Sequence, residues 1–161
     1  MIVILMGVSG SGKTTIGKLL AEELGWAYYE GDDYHPIANI RKMSQGMPLT
    51  DEDRGPWLSA LRKLIQDLLQ KTQSAIVGCS ALKGWYRDRL QGGSQDVCFV
   101  YLRGSSELLR QRLRSRQGHY MQASLLASQL ATLEEPADVL TVDIAQEPNL
   151  IVAQIRRALS L

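Results

Sequence analysis

Gly7-Val8-Ser9-Gly10-Ser11-Gly12-Lys13-Thr14 is the stretch of this chain best equipped for chemistry. It fits G-x-x-x-x-G-K-[ST] at every defined position, the pattern of a loop that wraps phosphate groups in backbone amides. Glycines at 7, 10 and 12 permit backbone angles closed to other residues, so successive N–H groups can turn into one concavity. Lys13 would bring a mobile cation to the β- and γ-phosphates, and the Thr14 hydroxyl is the expected Mg²⁺ ligand. Such a loop needs a strand before it and a helix after it. Ile2–Met6 reads as a buried strand, and Thr15–Leu24 as a helix with Ile16, Leu19, Leu20 and Leu24 on one face. The positive end of that helix dipole then faces the same anion site. A nucleoside triphosphate is the implied ligand.

The second cluster is Glu30-Gly31-Asp32-Asp33-Tyr34-His35-Pro36, just past an expected second strand at Trp26–Glu30. Carboxylates at a strand end facing a phosphate loop suit two tasks, backing Mg²⁺ through water and accepting the proton of an attacking hydroxyl. The alternative is that Asp32 and Asp33 cap a helix starting near Pro36, a role that the spacing favours for Asp33. The expected third strand ends Gly78-Cys79-Ser80 with no acidic residue, which leaves the metal to Thr14 and waters with Glu30 or Asp32 behind them. Lys83 and Arg87 stand one helical turn apart and could join Arg41 and Arg54 around an anionic substrate. A solvated basic face would explain the pair equally well.

Four arginines follow at 110, 112, 114 and 116. At about 100° per residue, Arg112 and Arg116 share the arc of Leu108, Leu109 and Leu113, while Arg110 and Arg114 point away. Gly118 just beyond would free the chain to move as a lid. Arg112 and Arg116 are therefore expected to reach the ATP phosphates as the lid closes, supplying charge to the transition state.

Period-two or continuous apolar runs alternate with period-3.6 segments along the whole chain, which predicts an α/β fold with a parallel sheet. Helices are expected at Ile37–Ser44, Trp57–Lys71, Leu82–Leu90, Ser105–Arg116, Leu125–Leu133 and Pro148–Leu159. Further strands are expected at Ser74–Cys79, Val97–Leu102 and Val139–Ile144. The rest of 31–56 is polar and turn-rich and is expected to be irregular. Trp57 reads as a core anchor, and Tyr28, Tyr29 and Tyr34 are not distinguishable from packing residues. No repeat or linker interrupts 1–161, so one domain is expected. In open α/β sheets ligands gather beyond the carboxyl ends of the strands, which is where each of these clusters falls.

A formal charge of +1 gives no field of the size that a polyanion needs, so nucleic acid is not an expected partner. Cys79 and Cys98 each sit in an apolar, strand-like run and are expected to be buried thiols, with no zinc-type spacing. The apolar N-terminus is too short for a signal peptide, and no run has the length to span a membrane. A soluble, reducing, cytoplasmic setting is the expectation.

Residues 31–58 read G-D-D-Y-H-P-I-A-N-I-R-K-M-S-Q-G-M-P-L-T-D-E-D-R-G-P-W-L. This resembles the P-loop gluconate kinases, whose hallmark is G-D-x-x-H-P-x-x-N-x-x-K-M-x-x-G-x-P-L-x-D-x-D-R-x-P-W-L. Further matches are Met6–Lys13, C-S-A-L-K at Cys79–Lys83, Y-R-D at Tyr86–Asp88, R-L-x-x-R-x-G-H at Arg112–His119, and L-E-E-P with V-D-I at Leu133–Pro136 and Val142–Ile144. Thr14 stands where many members have Ser, and Glu30 where Asp is common. The resemblance covers essentially the whole chain.

It implies a three-layer P-loop kinase fold like that of shikimate and nucleoside monophosphate kinases, a five-stranded parallel sheet flanked by helices with a mobile lid. It implies transfer of the ATP γ-phosphoryl group to the 6-hydroxyl of D-gluconate, with Mg²⁺ and, in many members, a homodimer. ATP would be held by Gly7, Val8, Ser9, Gly10, Ser11, Gly12, Lys13 and Thr14, with Arg112 and Arg116. Asp32 becomes the expected base, and His35, Arg54, Lys83, Arg87 and His119 the expected acceptor-binding residues; Thr14 and Glu30 would serve the metal. Two rivals remain at this point. Another small-molecule kinase on the same fold would share most of these features. A nucleotide-sensing switch would be expected to carry a guanine-specifying N-K-x-D, which is absent, and leaves the 31–58 motif unexplained.

Overall fold

Five parallel strands, β1 (Ile2–Met6), β2 (Ala27–Glu30), β3 (Ala75–Gly78), β4 (Val97–Arg103) and β5 (Leu140–Asp143), lie in the order β2-β3-β1-β4-β5. The structure, a computed structural model, describes the backbone of residues 1–115 and 120–161 and the side chains of 1–115 and 124–161. All five residues of β1 are buried, as expected of a central strand covered on both faces. Ile2 is in register with Ala75 on one side and with Val97 on the other. The chain thus places β3 and β4 on opposite sides of β1, and the loop leaving β1 emerges where the connections part. Ligands collect at such a point in doubly wound sheets.

The described helices are α1 (Lys13–Leu24), α2 (Ile37–Ser44), α3 (Asp51–Gln70), α4 (Gly84–Gln91), α5 (Ser106–Ser115), α6 (Tyr120–Thr132) and α7 (Pro148–Leu159), with a 3₁₀ turn at Gly31–Tyr34. Buried residues of β1, β3, β4, β5 and six of these helices form one contiguous apolar cluster, against which Tyr28 and Tyr29 of β2 pack. Cys79 is buried, Cys98 half-buried, and both are thiols. Among the described residues, no helix is long and apolar enough to cross a membrane.

The elements match the sequence expectation closely except at two helix starts: α6 begins at Tyr120, five residues before Leu125, and α3 earlier still than its own expected start. α3 begins at Asp51, six residues before Trp57. Thr50 caps it: its Oγ1 accepts from Asp53 N at 3.1 Å, while Asp53 Oδ2 accepts from Thr50 N at 2.9 Å. This reciprocal pair, with three acids in the first turn, outweighs the Gly55-Pro56 dipeptide that reads as a breaker. Pro56 sits in the second turn, where it removes one ladder donor without ending the helix. The consequence is functional, because the same turn carries Arg54.

Candidate active site

The phosphate loop joins β1 to α1. Gly12 adopts φ 91° as it caps the helix, and a side chain at Gly7 would meet Ser11 Oγ at 2.7 Å and Leu102 O at 2.9 Å. Only glycine fits either place. Lys13 Nζ donates to Gly7 O (2.9 Å) and Val8 O (3.1 Å), so the cation lies folded over its own loop. The amide of Ser9 donates to Oε1 of Gln129 on α6 at 2.7 Å. Beside the loop, Thr14 Oγ1 donates to Glu30 Oε2 at 2.6 Å, and the Tyr28 hydroxyl donates to that same oxygen at 2.8 Å. A cavity of about 140 Å³ lies between Lys13, Thr14, Glu30 and Asp32.

Among the described residues, no group of three His, Cys, Asp or Glu side chains could cage a metal by itself. The donors present are hard oxygens, one hydroxyl with carboxylates behind it. That set fits Mg²⁺, which keeps several waters and shares its coordination with substrate phosphates.

A larger cavity, about 430 Å³, opens on the other side of Lys13 and Asp32. Its polar lining includes Lys13, Asp32, His35, Arg54 and Ser80, and its apolar wall includes Met43, Leu49, Trp57 and Leu125. Gly31 lets the chain turn close against β3, since a side chain there would overlap Gly78 O. The 3₁₀ turn that follows carries Asp32 to the seam between the two cavities. Neither Asp32 nor Asp33 caps α2, whose N-cap is Pro36. The Asp32 carboxylate keeps most of its surface open to the cleft, yet the surrounding protein raises its pKa. The partial loss of hydration is the main cause; Lys13 opposes it, and Glu30 and Asp33 add to it.

His35 is buried and stacks on Trp57, with ring centres 4.4 Å apart and planes 12° from parallel. Trp57 in turn donates Nε1–H to Gly31 O at 2.7 Å, so this core residue also forms the cavity floor. Burial, with Arg54 nearby, lowers the His35 pKa to about 4, and the ring is neutral at neutral pH. Asn39 Nδ2 lies 3.2 Å from His35 Nδ1 and also donates to Asp53 O at 2.8 Å. An amide nitrogen only donates, so Nδ1 accepts and the ring proton rests on Nε2. That nitrogen is 3.9 Å from Asp32 Oδ1. Arg54, 8% exposed, donates from Nη1 to the Tyr86 hydroxyl at 3.2 Å, and Tyr86 donates onward to Asp51.

The structure does not bring every expected residue to the larger cavity. Lys83 Nζ is 2.9 Å from both oxygens of Asp51 and does not line the cavity. Arg87 donates to Ala81 O (2.9 Å) and Leu82 O (3.2 Å), bracing a turn in which Ala81 has φ 44°. Arg41 is exposed on the outer face of α2. Arg112 is half-buried and donates to Ile144 O at 2.6 Å, beside a third cavity bounded by Gly12, Thr15, Gln146 and Pro148. Arg110 and Arg114 are exposed, as the helical phase predicts. Arg116, Gly118 and His119 lie outside the described residues.

Three contributors escape sequence reading. Gln129, Ser128 and Leu125 of α6 line the larger cavity, and no local pattern around them signals it. Asn39 carried a signal, since it stands four residues after His35 within the 31–58 motif. Tyr86 had one too, as the aromatic residue of Y-R-D.

A phosphate loop after the central strand of a parallel β2-β3-β1-β4-β5 sheet defines a P-loop nucleotide-binding protein, and a family model described as an AAA domain matches residues 2–136. Shikimate kinase from Aquifex aeolicus, at 20% identity and a TM-score of 0.57, shares the fold. The chain belongs to the gluconokinase family. It is 45% identical over 158 residues to a gluconokinase of Gluconobacter oxydans, covering 96% of this chain and 89% of that one. A crystal structure of a gluconokinase from Sinorhizobium meliloti superposes with a TM-score of 0.84 at 43% identity, over 98% of this chain and 94% of that chain. An unliganded sugar kinase from Janibacter reaches a TM-score of 0.92 at 44% identity, over 99% and 94%.

Proposed function

We propose that this chain, as one P-loop kinase unit over 1–161, transfers the γ-phosphoryl group of ATP to the 6-hydroxyl of D-gluconate, giving 6-phospho-D-gluconate. The observation that carries the reading is the seam: Lys13 and Asp32 line both the small cavity by the phosphate loop and the larger polar one beside it. A donor on one side and an acceptor on the other would meet there.

In this reading the acceptor hydroxyl oxygen bonds to the γ-phosphorus as the bond to the β,γ-bridging oxygen breaks. Its proton passes to Asp32, and ADP leaves. Phosphoryl transfer of this kind is mainly a matter of positioning and charge. Loop amides of Gly7, Val8, Ser9, Gly10, Ser11 and Gly12 cradle the phosphates. Lys13 leaves the carbonyls of residues 7 and 8 to follow the charge as it shifts to the β-phosphate side. Mg²⁺, held by Thr14 with Glu30 behind it, would supply further positive charge to the β- and γ-oxygens. His35 Nε2–H orients the acceptor hydroxyls, Arg54 takes the acceptor carboxylate, and Trp57 with Met43 and Leu49 excludes water. Arg112, which borders the third cavity together with Gly12, reaches the ATP phosphates, and Pro148 across that cavity holds the nucleoside end. Arg116 and His119 keep their expected roles at the transferring phosphate and the acceptor. Lys83 acts through Asp51 and Tyr86 on Arg54, and Arg87 through the turn it braces. Action in the cytoplasm, as a homodimer, belongs to the same reading.

Gluconate-dependent ADP release by the purified chain is the direct test, with glucose as the control that lacks the carboxylate. Gluconate should support turnover and glucose should be far poorer, because losing the anion leaves buried Arg54 unpaired. No ADP release above background with gluconate would overturn the reading, and comparable kcat/KM for the two would remove the anion pocket from it.

A further inference from the structure

We propose that Tyr28 is a positioning residue for the magnesium site, holding the Glu30 carboxylate so that Glu30 can aim the Thr14 hydroxyl. The inference rests on the reading of Thr14 as the protein's ligand to the metal.

The geometry is specific. The Tyr28 and Thr14 hydroxyls both donate to one oxygen, Glu30 Oε2, at 2.8 Å and 2.6 Å. A hydroxyl has one proton and two lone pairs. By giving its proton to Glu30, Thr14 keeps its lone pairs for a cation; with the proton turned elsewhere it would compete with that cation. The device works only if Oε2 stays in place. A glutamate has three rotatable side-chain bonds and, held by Thr14 alone, would share the mobility of the group it is meant to direct.

Tyr28 removes that freedom because its own ring cannot move. It lies in a slot between α1 and β3 that two glycines create. A side chain at Gly17 would overlap the ring carbons, and one at Gly78 would overlap the hydroxyl. The slot therefore delivers the phenol oxygen to the carboxylate with little rotational play. Packing alone would not call for this arrangement, since phenylalanine fills the same slot. Among the described residues neither Tyr29 nor Tyr34 makes a side-chain hydrogen bond of this kind, although both pack on the same core. Groups that orient metal ligands from behind typically contribute 10- to 100-fold in metal affinity.

The test needs no turnover. Mn²⁺, as the paramagnetic probe, is titrated into the full chain with ADP and followed by electron paramagnetic resonance. Tyr28→Phe should weaken Mn²⁺ binding about 10-fold, with ADP affinity in the absence of metal unchanged. Thr14→Val should weaken it at least as much. An unchanged Mn²⁺ affinity in Tyr28→Phe beside a weakened one in Thr14→Val would overturn the proposal and leave the metal reading standing. Unchanged affinity in both would overturn the metal reading itself. A loss of metal-free ADP binding in Tyr28→Phe would mark Tyr28 as structural only and overturn the proposal as well. A second measurement adds Tyr28→Phe to Glu30→Ala: no further loss of Mn²⁺ affinity is expected, and fully additive losses would show that Tyr28 does not act through Glu30.

Discussion

The two halves of the cleft are built on different principles. The phosphate side is made by contiguous residues: eight positions, from the end of β1 into the first turn of α1, supply the amides, the cation and the hydroxyl. The acceptor side is assembled from the 3₁₀ turn, α2, α3, the segment after β3, and α6. A contiguous site survives if its local backbone is right, so glycine placement decides it. An assembled site depends on who holds each side chain, so its weak points are residues that never touch the substrate. Damage to the first half should appear in ATP binding, and damage to the second in the gluconate KM. Damage to Lys13 or Asp32, which line both cavities, should move kcat itself.

Asp32→Asn should have the largest effect, a loss of about 10²–10⁴ in kcat with ATP binding kept, as expected for a lost general base. Its sign with pH follows from the raised pKa. Protonated Asp32 cannot accept the hydroxyl proton, so kcat should fall on acidification at a pH above the ordinary aspartate value, and Asp32→Asn should lack that limb. The folded state also tolerates the charged form poorly. Stability should therefore decline as pH rises through the raised pKa, and Asp32→Asn should have a higher Tm at neutral pH than the parent. A pH–kcat profile and a melting curve check both; equal Tm values would remove the raised pKa, and a greater loss of kcat in Asp33→Asn would move the base elsewhere.

Lys13→Ala should cost at least about 10²–10³ in kcat, the usual loss for one donor to transition-state charge, without unfolding. Near-normal turnover would break the assignment of the loop.

Arg54→Met should raise the gluconate KM by about tenfold or more, as expected for a charged hydrogen bond, and leave the ATP KM alone. Tyr86→Phe, which removes only the hydroxyl between Arg54 and Asp51, should do the same more weakly, at about threefold. If Tyr86→Phe instead raised the ATP KM, the division of the cleft would fail.

The smallest effects should come from the helix surface. Arg110→Ala and Arg114→Ala should be nearly silent, because exposed charges contribute little, whereas Arg112→Ala should raise the ATP KM. Equal effects at all three would reduce the run to a basic surface.

The same contrast explains what could be read from the sequence. The phosphate side was legible because its chemistry is local and its spacing is itself the geometry. The strand and helix pattern was equally plain, since burial on one face or two leaves its period in the residues. The larger cavity was legible only where a motif carried it: His35 and Arg54, named from the 31–58 motif, line it, while Gln129, Ser128 and Leu125 reach it from α6 through tertiary packing. Lys83 and Arg87 show the converse failure. Their helical spacing is real, but whether a cation faces a substrate or a neighbour depends on Asp51 and on the carbonyls of residues 81 and 82. The early start of α3 was visible in Thr50 and Asp53, and the Gly55-Pro56 pair concealed it.

The Lys13 and Ser9 contacts bear on which anions this loop can hold. With its ammonium on two carbonyls and one amide on Gln129, the loop has internal partners for the groups an anion would use. A lone inorganic phosphate must displace them with few contacts to gain in return. A triphosphate can engage several amides at once. An anion that reaches several of these amides at once therefore has more to gain on this loop than one that reaches a single amide.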